Sequence, residues 1–195
     1  MSVKSTVNYD LLAVTGTTAS GKTSLAVALA ARLGGEVISA DSRQVYRRMN
    51  LGTGKDLSEY AFEGKPVRYH LIDIADPGDK YNVFEYQRDF VSVYEELKKR
   101  KVFPVVCGGS GMYIDSVVKG YRMLEVPPDN DLRKRLESKS MEELVSILSS
   151  YKSLHNITDI DTKKRAIRAI EIEEFTINNA GIKTQMPGIN SFVVG

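Results

Sequence analysis

Between Leu11 and Leu33 an apolar run, LLAVT, meets the loop GTTASGKT and then an alanine-rich segment with helical character. That order of strand, tight loop and helix leaves few folds open to the chain. Gly16, Gly21, Lys22 and Thr23 fit G-x-x-x-x-G-K-[ST], in which glycines let backbone N–H groups curl around phosphate oxygens at the positive end of a helix. The expected phosphate cradle is thus Gly16, Thr17, Thr18, Ala19, Ser20, Gly21, Lys22 and Thr23, with Lys22 reaching the outer phosphates and Thr23 holding Mg²⁺. A turn that merely linked strand to helix would leave the Lys-Thr pair unexplained. The loop identifies a ligand class, not a reaction.

After this unit, Gly34-Gly35 predicts a helix stop and EVISA a second buried strand ending at Asp41. DSRQVYRRM reads as a short polar segment, LGTGKDLSEYAFEGKP as a loop, and Val67–Ile74 as a third strand. Asn82 and Glu85 resemble a capping box before a helix whose Val83, Gln87, Phe90, Tyr94 and Leu97 recur at helical spacing. VFPVVC predicts a fourth strand, closed by Gly108-Gly109-Ser110-Gly111 and a helix from about Met112. Strands alternating with helices imply a parallel α/β sheet of P-loop NTPase-like type, whose ligands sit at the carboxyl ends of its strands.

From Tyr121 the pattern changes: Pro127-Pro128 breaks it, and three helices follow without strands between them, over Asp131–Lys139, Met141–Tyr151 and Thr162–Phe175, the last capped by Asp161. Lys164, Arg165 and Arg168 group on one side of that last helix and Ile167 and Ile170 on another. INNAGIKTQMPGIN is loop-like, and Phe192-Val193-Val194 reads as the start of a core strand beside the phosphate-loop strand. The expected organisation is a core over 1–120, a helical insertion over 121–188 and resumption of the core sheet over 189–195.

A formal net charge of +2 argues against a generally sticky polyanion binder, so any polyanion site must be local. One cysteine, Cys107, excludes an internal disulfide framework and a cysteine-rich zinc site. Cys107 and the run Lys98–Lys101 read as a small core residue and a solvated helix end, and His70 and His155 lack ligand-spaced partners, which favours structural or solvent roles. No apolar leader opens the chain and no stretch reaches membrane-spanning length, so a soluble, cytoplasmic, monomeric protein is expected, with no membrane partner.

Asp41 is the first carboxylate with two jobs open to it. If its strand lies beside the phosphate loop, it points into the same crevice, where it could bind Mg²⁺ or accept a proton from a nucleophile. Helix capping is the plainer role, but Asp41-Ser42-Arg43-Gln44 packs an acid, a hydroxyl, a guanidinium and an amide together, all able to hydrogen-bond a base edge. Tyr46 and Tyr113 are stacking platforms if they face that crevice and core residues otherwise.

GTTASGKTSLAVALA, ISADSRQVYRRMNLGTGK, HLIDIADP, GGSGMYI and RAIRAIEI together resemble the tRNA dimethylallyltransferases, over about Leu11 to Glu174. The resemblance implies transfer of a dimethylallyl group from dimethylallyl diphosphate to N6 of an adenine beside the tRNA anticodon. It implies that the Gly16–Thr23 loop binds diphosphate with Mg²⁺, that Asp41 is the general base, and that Asp41, Ser42, Arg43, Gln44, Ser110, Lys164, Arg165 and Arg168 touch tRNA. Thr17 stands where the family has Pro and Ser110 where it has Thr. Family members also run on well past this point, which implies a short or truncated form, lacking an Arg for the diphosphate and further RNA-gripping helices, and slower than a full-length relative. Two other readings stay open on the residues alone: a small nucleoside or metabolite kinase using the loop with ATP, against which VFPVVC lacks an acidic end, and a non-catalytic truncated RNA-binding relative.

Overall fold

The computed structural model describes residues 8–121, 123–153, 158–181 and 186–195. The first strand, β1 (Leu11–Thr15), is buried over nearly its whole length, as a central strand covered on both faces must be. Helix α1 (Lys22–Leu33) follows, with Ala26, Val27 and Ala30 turned inward and Gly34 as its left-handed C-cap, and then β2 (Gly35–Ser39).

The segment after β2 is more structured than a plain loop. It holds a 3₁₀ turn at Leu57–Glu59 and a small antiparallel hairpin of β3 (Ala61–Phe62) and β4 (Lys65–Pro66). The strand predicted over Val67–Ile74 shrinks to β5 (Tyr69–His70), because Leu71 and Asp73 adopt left-handed φ of 61° and 56° that turn the chain out of the sheet.

Helix α2 (Val83–Arg100) opens on a complete capping box of Asn82 and Glu85 and closes on Lys98, Lys99 and Arg100, cations that suit the negative end of the dipole. Strand β6 (Phe103–Gly108) and helix α3 (Gly111–Val118) complete the first run of the core. Helices α4 (Asn130–Glu137), α5 (Met141–Tyr151) and α6 (Lys163–Asn178) come next, then β7 (Ser191–Val194). The cap of α6 is Thr162, which accepts from the Arg165 N–H, and not Asp161 as predicted. Asp161 instead pairs with Arg165 one turn on.

The five-stranded sheet has the order β5-β2-β6-β1-β7, all parallel, with helices on its faces, the P-loop NTPase-like α/β arrangement predicted from the loop. The condition that Asp41's strand lie directly beside β1 is not met, because β6 sits between β2 and β1.

The chain divides into two compact units, Met1–Arg122 with Gln185–Gly195, and Met123–Thr184. Met186 and Ile189 pack on the core of the first, so the return to it begins a few residues before 189. The second unit has its own core of Leu132, Leu136, Leu144, Leu148 and Ile170. Its Glu171 side chain is 2% exposed and receives the Arg133 fork, Arg168 and the Asp129 N–H. Burial alone would raise that carboxyl's pKa, but the Arg133 and Arg168 hydrogen bonds outweigh it and hold it lowered.

A similar knot closes the amino end of the sheet. Glu36, next to the first residue of β2, lies beside His70 Nε2 at 2.7 Å and accepts two bonds from Arg100, at 2.8 and 2.7 Å. Those Arg100 bonds, against the cost of burial, hold its pKa at about 2, below the usual 4.5. A lowered folded-state pKa contributes stability above the unfolded value and loses it as pH falls toward the folded one, here about 3 kcal/mol lost between pH 4.5 and 2. Urea unfolding of wild type and Glu36→Gln is therefore expected to show a gap of that order at pH 6, narrowing steadily as pH drops to 3.

Candidate active site

Gly21 ends the loop after β1 with φ 78°, a left-handed turn that an L side chain would strain, and it serves as the N-cap of α1. No side chain caps that helix and no acid sits in its first turn, so its opening N–H groups and positive dipole end are left for an anion. Thr17 to Gly21 are exposed, and Lys22 and Thr23 half-buried. The Lys22 ammonium folds over the loop to donate to the Thr17 carbonyl at 3.1 Å.

The wall opposite the loop is the end of β6. Gly109 lies so close that a Cβ there would stand 3.4 Å from the Gly16 carbonyl and 3.9 Å from Lys22 Nζ. Cys107, just below, is buried, and burial pushes its thiol up to about 11 against the opposing pull of Lys22 and the Thr23 hydroxyl. It is a core residue, as its position at a strand end predicts.

Beyond its last ladder residue, β2 stays zipped to the β6 side. The Ala40 N–H donates to the Cys107 carbonyl at 2.7 Å and the Ser110 N–H to the Ala40 carbonyl at 3.1 Å. The Ser110 hydroxyl then accepts from the Ser42 N–H at 2.9 Å and donates to the Ser42 hydroxyl at 3.1 Å. Asp41 is thereby held at the carboxyl end of the sheet, one strand from the phosphate loop, with the turn from β6 into α3, which carries Gly109 and Ser110, between them. Its Oδ1 accepts from the N–H groups of Arg43, at 2.9 Å, and Gln44, at 3.4 Å.

The predicted base-reading residues have different engagements. Arg43 is exposed, but the Gln44 amide is used inside the loop, accepting from Ser39 Oγ and donating to the Gly54 carbonyl. Tyr113 is core: 5% exposed, stacked on Tyr86 with centroids 4.2 Å apart, its hydroxyl pushed up to about 12 mainly by burial. Tyr46, half-buried, donates its hydroxyl to the Asp79 carbonyl. In the helical unit, Lys164 and Arg165 are exposed, Arg165 paired with Asp161 at 2.6 Å, while Arg168 holds Glu171 and the Val126 carbonyl. His70 sits in the Glu36 knot, and His155 and the opening residues 1–7 lie outside the described residues.

Sequence reasoning missed Lys55 and Asp73. The Lys55 side chain is 1% exposed, and its ammonium donates to the Tyr46 carbonyl at 2.7 Å, Asn50 Oδ1 at 3.4 Å and Asp73 Oδ1 at 2.5 Å. The two residues are too far apart in sequence for any periodicity to pair them, and their one signal was membership of the blocks ending GTGK and containing HLIDIADP.

Among the described residues, no three His, Cys, Asp or Glu side chains gather as a metal cage. The oxygen donor beside the loop is the Thr23 hydroxyl on the first turn of α1, and a single hydroxyl fits an ion such as Mg²⁺, which takes one or two protein oxygens and completes its shell with substrate phosphates and water. Nor, among these residues, is any helix long and apolar enough to cross a membrane.

Family models for IPP transferase and isopentenyl transferase match residues 44–188 and 9–73 respectively. A tRNA dimethylallyltransferase 2 of Bacteroides fragilis is 60% identical over 188 residues, covering 96% of this chain and 61% of that protein. A tRNA dimethylallyltransferase 1 of Parabacteroides distasonis is 57% identical at the same coverage. The chain thus spans about three fifths of the length of these curated relatives. The solved full-length tRNA isopentenylpyrophosphate transferase of Bacillus halodurans aligns with a TM-score of 0.58 at 34% identity, covering 96% of this chain and 59% of that one. A eukaryotic dimethylallyltransferase acting on tRNA aligns at 0.73, covering 95% of this chain and 48% of that one, and at 19% identity it speaks for the fold alone. With a family model matched over most of its length and the loop and Asp41 assembled at one end of its sheet, the chain belongs to the IPP transferase family.

Proposed function

We propose that the chain transfers a dimethylallyl group from dimethylallyl diphosphate to N6 of an adenine beside the anticodon of tRNA. The observation that carries this is the Ser42–Ser110 seam, which fastens the Asp41 turn to the strand end whose Gly109 lines the phosphate loop. Proton acceptor and anion cradle thus share one end of the sheet.

The exocyclic amine of adenine is a poor nucleophile, so a base must take its proton as the N6–C1 bond forms and the C1–O bond to diphosphate breaks. Asp41 does this through Oδ2, since Oδ1 is held by the Arg43 and Gln44 amides. The electron pair of the broken bond leaves on diphosphate. Loop N–H groups from Gly16 to Gly21, the free first turn of α1 and the Lys22 ammonium, swung off the Thr17 carbonyl, stabilise that growing charge. Mg²⁺ held by the Thr23 hydroxyl would neutralise part of the same charge. Arg43, Ser42 and Ser110 face the RNA beside Asp41, and Lys164 and Arg165 offer exposed cations to its phosphates from the helical unit. The protein acts in this reading as a cytoplasmic monomer.

Incubation with dimethylallyl diphosphate, Mg²⁺ and unmodified tRNA is expected to yield N6-dimethylallyladenosine on nucleoside mass analysis. Phosphorylation of acceptors in a parallel ATP panel, with no prenylated nucleoside, would overturn the reading. Lys22→Ala is expected to weaken dimethylallyl diphosphate binding at least tenfold in calorimetry while tRNA affinity stays within about twofold, since one charge-assisted contact to the leaving group is lost.

A further inference from the structure

The turn that carries Asp41 belongs to no strand or helix, yet it must hold a carboxylate against a reacting amine to within a fraction of an ångström. We infer that Lys55 is the positioning residue of this site, a buried ammonium that clamps the Asp41–Asn50 segment from behind. The inference rests on the prenyl-transfer reading for its effect on rate, and on geometry alone for the clamp itself.

Lysine is rarely buried unless its charge is fully engaged. Here three N–H donors meet three acceptors from separate places: the Tyr46 carbonyl, Asn50 Oδ1 and Asp73 Oδ1. Two of the three lie on the segment that follows Asp41. The third, Asp73, lies on the stretch to which that segment is stitched. The Asp73 N–H donates to the Gln44 carbonyl, the Ile74 and Ala75 N–H groups to the Val45 carbonyl, and the Arg47 N–H to the Ala75 carbonyl. Gly54, next to Lys55, takes the Gln44 side-chain amide. Gln44 is one of the two residues whose backbone N–H fixes Asp41 Oδ1. A continuous set of polar contacts therefore runs from the ammonium to the proposed base.

The backbone around the clamp is held away from its preferred conformations: Arg48, Leu71 and Asp73 all have left-handed φ, of 63°, 61° and 56°. Such residues persist where surrounding contacts over-determine them. Removing the ammonium leaves the Asp73 carboxylate and the Tyr46 carbonyl without their donor and frees the segment to relax. The sheet, whose ladders do not involve Lys55, has no reason to follow. Displacing a reacting group by about an ångström is enough to cost a factor of order 10² in rate.

Lys55→Met keeps the aliphatic stem and removes the charge, and Lys55→Arg keeps the charge with a different reach. In the full chain, hydrogen exchange at the Arg43, Gln44 and Ala75 amides is expected to speed up at least tenfold in Lys55→Met while the β1 and β6 amides keep wild-type rates, with Lys55→Arg in between. In prenyl transfer kcat should fall about 10- to 100-fold with KM for both substrates within twofold, and partly recover in Lys55→Arg. Unchanged exchange at those amides, or an equal rise across β1 and β6, overturns the inference, because Lys55 would then be idle or only a general stabiliser. The milder Asp73→Asn, which keeps the side-chain shape, must reproduce the local pattern even if Lys55→Met fails to fold. Should the wild-type chain transfer no prenyl group, the proposed function fails, and the exchange pattern still decides the clamp.

Discussion

Asp41→Asn is expected to reduce prenyl transfer by ~10² to 10⁴ while both substrates still bind. Asparagine keeps the shape of the side chain, and its carbonyl oxygen can still accept from the Arg43 and Gln44 N–H groups, so the turn and the Ser42–Ser110 seam should persist. What it cannot do is take the N6 proton, and the attacking nitrogen then develops a positive charge that nothing removes. Single-turnover rates and equilibrium binding, measured separately, check this. Loss of Mg²⁺-dependent diphosphate binding with an unaltered single-turnover rate at saturation would make Asp41 a metal ligand instead.

Gly108→Val should be nearly as damaging, by a different route. A Cβ at Gly108 would stand 2.1 Å from the Ala40 carbonyl oxygen and 2.8 Å from its Cα, all backbone atoms with no rotamer to yield. The two strand ends must part, at a cost of about 3 kcal/mol or more, and Asp41 moves with Ala40 while Ser110 moves with Gly108. Denaturant unfolding should therefore show a lower midpoint, and turnover should fall about 10²-fold even at temperatures where the variant is fully folded. A variant that lost stability but kept wild-type turnover per folded molecule would show that the seam between Ala40 and Ser110 does not set the geometry of the site.

Much of this architecture is written in local sequence, and the reason is physical. The phosphate loop is legible because its chemistry is backbone chemistry: Gly21 must adopt a left-handed φ, Lys22 and Thr23 must follow at once, and all lie within one turn of chain. The capping box Asn82/Glu85 is legible because its partners are three residues apart. Strands β1 and β6 announce themselves as short apolar runs, since a parallel strand is buried on both faces.

Where sequence reasoning failed, the deciding contacts join residues distant in the chain. The third strand shortens to Tyr69–His70 because the stretch after it is drawn off to pair with Gln44, Val45 and Arg47. Arg168 looks like part of a basic face but is turned to Glu171 and Val126, and the Gln44 amide looks free to read a base but is spent on Ser39 and Gly54. Lys55 and Asp73 carry no pattern at all until folding brings them together.

By itself the sequence determined the strand, loop and helix unit at its start, the α/β alternation and the blocks that mark the family, because each rests on neighbours in the chain. Only the tertiary structure decided that β6 separates β2 from β1, that the Cys107 carbonyl and Ser110 fasten the Asp41 turn to the end of β6, and that the buried Lys55 side chain holds the segment after Asp41. Strand order and buried charge pairs are settled by packing and desolvation summed over the whole core, and no short stretch of residues records that sum.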